Sequence, residues 1–287
     1  MDGILIIDKP AGITSHDVVS RVRRILKTKR VGHTGTLDPF ATGVMVILVG
    51  QATRLAQFLD KDQKEYEATL KFGFETDTGD RTGTRRDDPT TPVRSVTVTT
   101  QQIESALANF RGDIEQMPPM YSAKKIDGKK LYEHARKGET IERKPVKVSI
   151  HDLELITSAN HEWRSDIDTV RIRIACSAGT YIRTLAEDIG RKLGVGAHLT
   201  ELRRTRAGKF EIGQSSTLEQ LQAMPEPGSA LIPISTAVEH LPQFIVAEDR
   251  VEKTRNGLST RVFDMGFENG EMLRMLAGSG KLIAIGR

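Results

Sequence analysis

Between Gly32 and Gly43 the chain reads GHTGTLDPFATG, in which one carboxylate, Asp38, stands among one histidine, three threonines, three glycines and a proline. Glycines on both sides open backbone conformations closed to other residues and let a second molecule come close. Pro39 fixes its own φ and biases Asp38 away from helix. Asp-Pro and Thr-Gly pairs also build ordinary turns. Residue types alone therefore leave two readings, a tight turn or a reactive carboxylate. The apolar run Val44 to Val49 that follows reads as a buried strand. A polar loop at the end of such a strand is a common place for chemistry.

The elements around this loop can be read from the rest of the chain. At 287 residues there is room for one large domain, or one large and one small. Hydrophobic residues make up 38% and charged residues 28%, as in an ordinary globular protein, and no apolar stretch reaches the roughly 20 residues that cross a bilayer. The start, MDGILIIDKP, lacks the features of a secretion signal. Cys176 is the single cysteine, which excludes intrachain disulfides and multi-cysteine metal sites and fits a small buried residue. The expected location is the cytoplasm.

Net charge is +4, unevenly spread: residues 21–30 carry +6 and residues 121–147 carry +5, leaving −7 for the remainder. Either basic segment alone could be a solvated face. A third group, Arg203, Arg204, Arg206 and Lys209, points to a surface that meets a nucleic acid.

Ile4 to Ile7 reads as a strand. Thr14 or Ser15 caps a helix with Val18, Val19, Val22, Ile25 and Leu26 on one face. A short helix is expected near Arg54 to Leu59. From Lys64 to Phe72, alternation sets Tyr66, Ala68, Leu70 and Phe72 on one face of a strand. Residues 75–95 read as a long loop, and Ile103, Ala106, Leu107 and Phe110 mark a helix. The lysine-rich segment 117–147 reads as a projecting insertion with a helix near Lys130 to Lys137. Strands are expected at Val146 to Leu155 and Val170 to Ala175. A helix from Tyr181 to Leu193 follows, capped by Thr180, and a short one spans Ser235 to Leu241. The class is α+β, with a small β-rich module at the end.

Several stretches together resemble the bacterial tRNA pseudouridine synthases of the TruB type. The most specific are GILIIDKPAGITSHDVV at 3–19 and GHTGTLDPFATGVMVILVG at 32–50. KEYEA at 64–68, TDTGD at 76–80, PPMYSA at 118–123, GTYIRTL at 179–185 and HLTELRR at 198–204 follow in the same order. The resemblance implies a mixed, mostly antiparallel sheet with surrounding helices, spanning residues 1–241, and a basic thumb at about 117–147. A short PUA-like RNA-binding module would occupy 242–287. It also implies the reaction: the T-loop uridine at tRNA position 55 is flipped out, its C1′–N1 bond broken, the base turned and rejoined through C5. No cofactor or metal is expected, and no obligatory protein partner; the enzyme would act as a monomer on the tRNA T-arm.

By the same resemblance Asp38 is the catalytic aspartate, either attacking the nucleoside or removing a ribose proton. Both roles need an ionised carboxylate in a water-poor pocket, which is costly without a nearby cation. Arg183 is the expected partner; the rival reading pairs it with Glu187 one helical turn on. Tyr66 would stack on the uracil and is the candidate for removing the C5 proton, although alone it would read as a core aromatic. Tyr181 and Leu202 are further walls of the base pocket, and Lys9 and Pro10 support its floor. His33 would fill the space left by the flipped base; alone it would read as a solvated turn residue. Lys124, Lys125, Lys129, Lys130, Arg203 and Arg204 are the expected contacts to the RNA backbone.

Three other functions fit parts of this pattern. An RNA chaperone needs the basic surfaces but not Asp38, Tyr66 and Arg183 together. A guide-RNA-dependent pseudouridine synthase shares the core, whereas the long basic insertion favours a stand-alone enzyme. A glycosidase needs a second carboxylate in a matching motif, and none is evident.

Overall fold

The computed structural model of the chain describes residues 1–60, 62–86, 98–126, 128–156, 168–259, 266–268 and 270–287. Strand β1 (Gly3–Lys9) leads into helix α1 (Ser15–Ile25), then β2 (Val31–Thr34) and β3 (Thr42–Val49). A 3-10 turn runs into α2 (Ala56–Leu59), followed by β4 (Lys64–Phe72), α3 (Thr100–Ala108) and β5 (Gly112–Gln116). The insertion holds a two-stranded hairpin, β6 (Lys125–Ile126) and β7 (Lys129–Lys130), and helix α4 (Leu131–Ala135). Next come β8 (Val146–Leu155), β9 (Thr169–Cys176), α5 (Ile182–Lys192), β10 (Ala197–Ala207) and β11 (Phe210–Glu211). Helices α6 (Leu218–Ala223) and α7 (Ile234–Ala237) precede the last group: β12 (Gln243–Ile245), α8 (Glu248–Arg255), β13 (Leu273–Leu276) and β14 (Leu282–Gly286).

The main sheet has nine strands in the order β1-β3-β10-β4-β9-β8-β5, with β2 on β3 and β11 on β10. Its pairings are antiparallel except for the short β3–β10 contact, where Thr42 and Gly43 lie beside Arg203 and Arg204. That contact requires a glycine. At Gly43 φ is +103°, and a Cβ there would stand 2.2 Å from the Arg204 carbonyl oxygen. The α+β class with a mostly antiparallel sheet is the one observed.

β1 and β3 read as unbroken apolar runs because both of their faces are covered. Leu5, Ile7, Met45 and Ile47 pack against Val18, Val19 and Val22 of α1 and against Leu218 and Leu221 of α6. On the other face Ile4, Ile6, Val44, Val46 and Leu48 meet Ala237, Val238 and the half-buried Leu282 and Ile285. β4 instead alternates, and Tyr66, Ala68, Leu70 and Phe72 enter a third core with α3 and α5.

Local chemistry sets the helix ends. Thr14 caps α1 in a capping box: its hydroxyl accepts from the Asp17 amide at 3.1 Å, while the Asp17 carboxylate accepts from the Thr14 amide at 2.8 Å. For α5 the cap residue is Tyr181 rather than Thr180, whose hydroxyl turns back to donate to the Ser177 carbonyl at 2.8 Å. The helix expected over Ser235 to Leu241 is the single turn Ile234–Ala237. The thumb helix is likewise shorter than its pattern, Leu131–Ala135. Of the expected loop 75–95, residues 87–95 lie outside the described residues. Strands β12, β13 and β14 form a separate three-stranded sheet. Among the described residues, no helix is long and apolar enough to cross a membrane.

Candidate active site

Asp38 sits on a loop fastened from three directions through its backbone. Lys9, fully buried at the end of β1, donates to the carbonyls of Pro39 at 3.2 Å and Ala41 at 2.7 Å, and to its neighbour Pro10 at 2.9 Å. The Gly12 amide donates to Pro39 O at 2.8 Å. The Ser15 hydroxyl accepts from the Leu37 amide at 2.9 Å and donates to the Leu37 carbonyl at 3.0 Å. Ser15 is free for this because Thr14 provides the helix cap. Leu37 and Phe40 enter the core on either side, and Asp38 is the one charged side chain that the loop keeps at the cavity, beside Thr36 and Leu37.

Arg183, in the first turn of α5, grips that carboxylate as a fork. Its Nε donates to Asp38 Oδ2 at 2.9 Å and its Nη2 to Oδ1 at 3.1 Å. The remaining reach goes to backbone: Nη1 donates to Thr78 O at 2.8 Å and Nη2 to Tyr121 O at 2.7 Å. The guanidinium is 6% exposed and the Asp38 side chain 33%, so the pair is closed from behind and open at the carboxylate. Glu187, the rival partner, is taken by Arg86 at 3.1 Å and Arg191 at 3.6 Å. Gly79 lets the TDTGD turn lie against α5: a Cβ there would stand 3.2 Å from Arg183 Cβ and 3.0 Å from Glu187 Oε1. The turn's second acid, Asp80, accepts from Thr78 and Thr82 and lies 3.9 Å from Arg183 Nε.

Burial pushes the Asp38 carboxyl above its usual range, with Arg183 acting against it and the Asp80 charge adding to it. The forked guanidinium opposes that rise where the carboxylate still has access to water. Burial also lowers Lys9 to about 8.

The cavity in front of Asp38 has a volume of about 270 Å³. Tyr66 from β4, Leu202 from β10 and Tyr181 from the start of α5 line it together with Asp38 and Arg183. Burial raises both tyrosine hydroxyls, so they meet a ligand in the neutral form. Lys9 and Pro10 stand behind the loop and do not line the cavity. His33 lies outside the lining, on edge strand β2. Burial and then Arg204 hold His33 below the usual imidazole range, and its Nδ1 finds no partner.

The six basic residues expected at the RNA backbone divide. Lys124 lines the cavity, and Lys125, Lys129 and Lys130 stand on the thumb hairpin, where Lys130 covers the Tyr132 ring at 5.5 Å. Arg204 does not belong with them. It is 1% exposed and donates to the Val44 carbonyl at 2.7 Å and the Gly35 carbonyl at 2.9 Å, bracing the Asp38 loop from beneath. Arg203 is held in a fork by Asp8, at 3.1 and 2.7 Å, and reaches Thr42, so its charge is already paired. Sequence reasoning also missed Gln116. Only 1% exposed, its amide oxygen accepts from the Tyr181 amide at 3.0 Å and its nitrogen donates to the Tyr181 carbonyl at 3.4 Å. The signal available was a polar residue ending a strand just before Pro118-Pro119.

This sheet and cleft belong to a class of α+β enzymes with relatives of known structure. An H/ACA RNP bound to a substrate RNA containing 2′-deoxyuridine matches with a TM-score of 0.73 and 27% identity, over 99% of this chain and 77% of that one. A Cbf5-Nop10-Gar1 complex matches at 0.71 and 28%, over 99% and 78%.

Sequence comparison narrows the class. Residues 23–182 match the N-terminal domain of the TruB family pseudouridylate synthases, and residues 183–238 the tRNA pseudouridylate synthase B C-terminal domain. The tRNA pseudouridine synthase B of Solibacter usitatus is 43% identical, over 100% of this chain and 95% of that protein. That of Bacillus subtilis is 40% identical, over 99% and 92%. The chain belongs to the TruB family of pseudouridylate synthases, and it is therefore an enzyme of the isomerase class.

Proposed function

We propose that this enzyme converts the T-loop uridine at position 55 of tRNA to pseudouridine. The observation that carries the reading is the Arg183 fork on Asp38 at a cavity walled by Tyr66, Tyr181 and Leu202. Asp38 acts on the ribose as the C1′–N1 bond breaks. Arg183 keeps the carboxylate ionised and aimed, since an unpaired charge in such a place is costly. The freed uracil, stacked on Tyr66, turns and bonds to C1′ through C5; C5 then gives up its proton and N1 ends protonated, so the product is an isomer. No outside reactant enters this balance.

A uridine inside a folded loop must leave its stack to reach Asp38. His33, on the strand that enters the catalytic loop, takes the space it leaves. Lys124, Lys125, Lys129 and Lys130 on the thumb meet phosphates, and residues 242–287 serve as a short PUA-like RNA-binding module. The enzyme works as a monomer without a guide RNA or protein partner.

The test is to incubate purified protein with unmodified tRNA transcript, without additive, and to map pseudouridine. Modification at position 55 alone is the expected result. No modification would favour a chaperone or a guide-dependent enzyme, and an abasic site would favour a glycosidase.

A further inference from the structure

The KEYEA stretch places a second charged residue in the cavity. Lys64 is two residues before Tyr66 on β4, hence on the same sheet face, and both line the space in front of Asp38. Its side chain is fixed. The stem passes Gly35, where a Cβ would stand 3.6 Å from Lys64 Cε, and the ammonium donates to the carbonyls of Asp60 and Asp62. An ammonium has three N–H groups, so one is left over. Lys64 is 5% exposed and forms no ion pair among the described residues. The other cavity cations have occupations: Arg183 faces Asp38, Arg204 serves two carbonyls, and Lys124 belongs to the thumb.

We infer that Lys64 forms a phosphate subsite inside the cavity, binding a phosphate that flanks the flipped nucleotide. This rests on the proposal that the cavity receives a nucleotide of an RNA chain. The carboxylates of Asp62 and Asp60 favour the Lys64 charge without forming an ion pair with it, so burial is only partly compensated. A buried cation gains from an anion at hydrogen-bond distance, and each nucleotide brings a phosphate whatever its base. Burial holds the Lys64 amine below the usual lysine range, and an incoming anion reverses that effect. The subsite anchors the backbone, while Asp38 and Tyr66 meet sugar and base.

The test is a cycle between protein charge and RNA charge. The RNAs are an unmodified T-arm hairpin and two copies in which the phosphate 5′ or 3′ of the target uridine is a neutral methylphosphonate. The proteins are wild type, Lys64→Gln, whose amide still donates to a backbone carbonyl, and Lys64→Arg, which keeps the charge. Wild type should lose about ten-fold or more in affinity for one methylphosphonate RNA. Lys64→Gln should lose as much on the native hairpin and then be indifferent to that methylphosphonate, with a salt slope shallower by about 0.7. Lys64→Arg should stay sensitive. Penalties that multiply in Lys64→Gln overturn the subsite, as does a wild type indifferent to both methylphosphonates, whatever the folding of the variants. Failure of the underlying reading is separate: wild type would then isomerise no uridine in the native hairpin.

Discussion

Replacing Arg183 by Met keeps an unbranched apolar stem in α5 and removes two hydrogen bonds, of 2.9 and 3.1 Å, from the Asp38 carboxylate. The carbonyls of Thr78 and Tyr121 lose their donor as well. Breaking a buried ion pair by removing one partner costs about 3–5 kcal/mol. Asp38 is a third exposed, and water recovers part of this, so the lower end applies. At about 1.4 kcal/mol per factor of ten, a loss of about 3 kcal/mol is a fall of at least about a hundred-fold in kcat/KM at neutral pH. The pH dependence carries the diagnosis. Asp38 must be ionised to act, burial already raises it, and Arg183 is the main opposing influence. Activity is therefore lost as pH falls through the Asp38 value, and in Arg183→Met that loss sets in at higher pH. Arg183→Lys keeps the charge without the planar fork and rescues in part. The assay is single-turnover pseudouridine formation across pH. Near-wild-type rates in Arg183→Met, or an unmoved acid limb, would refute the assignment. Glu187→Gln is the control: its partners are Arg86 and Arg191, so its pH profile should keep the wild-type limb.

Asp38→Asn should abolish turnover and leave tRNA affinity within about two-fold, since the basic surfaces lie elsewhere; measurable single-turnover product would remove Asp38 from its role. Changing Lys124, Lys125, Lys129 and Lys130 together to Gln should weaken tRNA binding and flatten log K against log salt, by about 0.7–0.9 per lost contact; an unchanged slope would mean the thumb does not touch RNA. Arg204→Met leaves two carbonyls without donors and should lower the thermal midpoint and turnover together, whereas an exposed phosphate contact would change only affinity and its salt slope. Burial lowers Lys9 from 10.5 to about 8, so between those pH values the unfolded chain holds more protons. Wild-type stability should accordingly rise with pH in that window relative to Lys9→Met, and parallel curves would exclude the shift. Ending the chain at Pro242 should leave an active core with weaker tRNA affinity, less stable through loss of Leu282 and Ile285 from the β1–β3 face; inactivity at saturating tRNA would refute the division.

Where one face was buried and the other wet, the sequence was easy to read. β4 alternates, and its limits Lys64–Phe72 coincide with the pattern; α1 has its apolar stripe and a capping box. The site's principal pair was legible as well, because Asp38 and Arg183 fall in specific motifs. β10 was not, although it is the central strand beside β4. Register shifts at Leu199/Glu201 and Arg204/Arg206 break its alternation, so that buried Leu199 and Leu202, and buried Arg204 and Ala207, stand three residues apart rather than two. One of those positions is an arginine, which a reading by hydropathy sends to the surface. Arg204 lies inside because its guanidinium answers carbonyls that only the folded chain brings there. Gln116 and Ser15 were hidden for the same reason, since their partners are backbone groups 65 and 22 residues away.

With Lys9, these residues share a way of working that explains why the motifs are long. Lys9, Ser15 and Arg204 hold Gly35, Leu37, Pro39 and Ala41 by backbone atoms, and Gln116 does the same for Tyr181. On the proposed reading Asp38 acts on the ribose, where chemistry alone gains little; misplacement by about 1 Å can cost about a hundred-fold. Anchoring the main chain on both sides of Asp38 fixes where the side chain starts, and the Arg183 fork fixes where it ends. Two constraints from different elements, the β1–α1 turn and the first turn of α5, thus converge on one side chain. Arg183 extends the second constraint to the root of the thumb, because the Nη2 that holds Asp38 also holds the Tyr121 carbonyl. Thumb and carboxylate share a donor, so a thumb that settles on RNA bears directly on the carboxylate proposed to react.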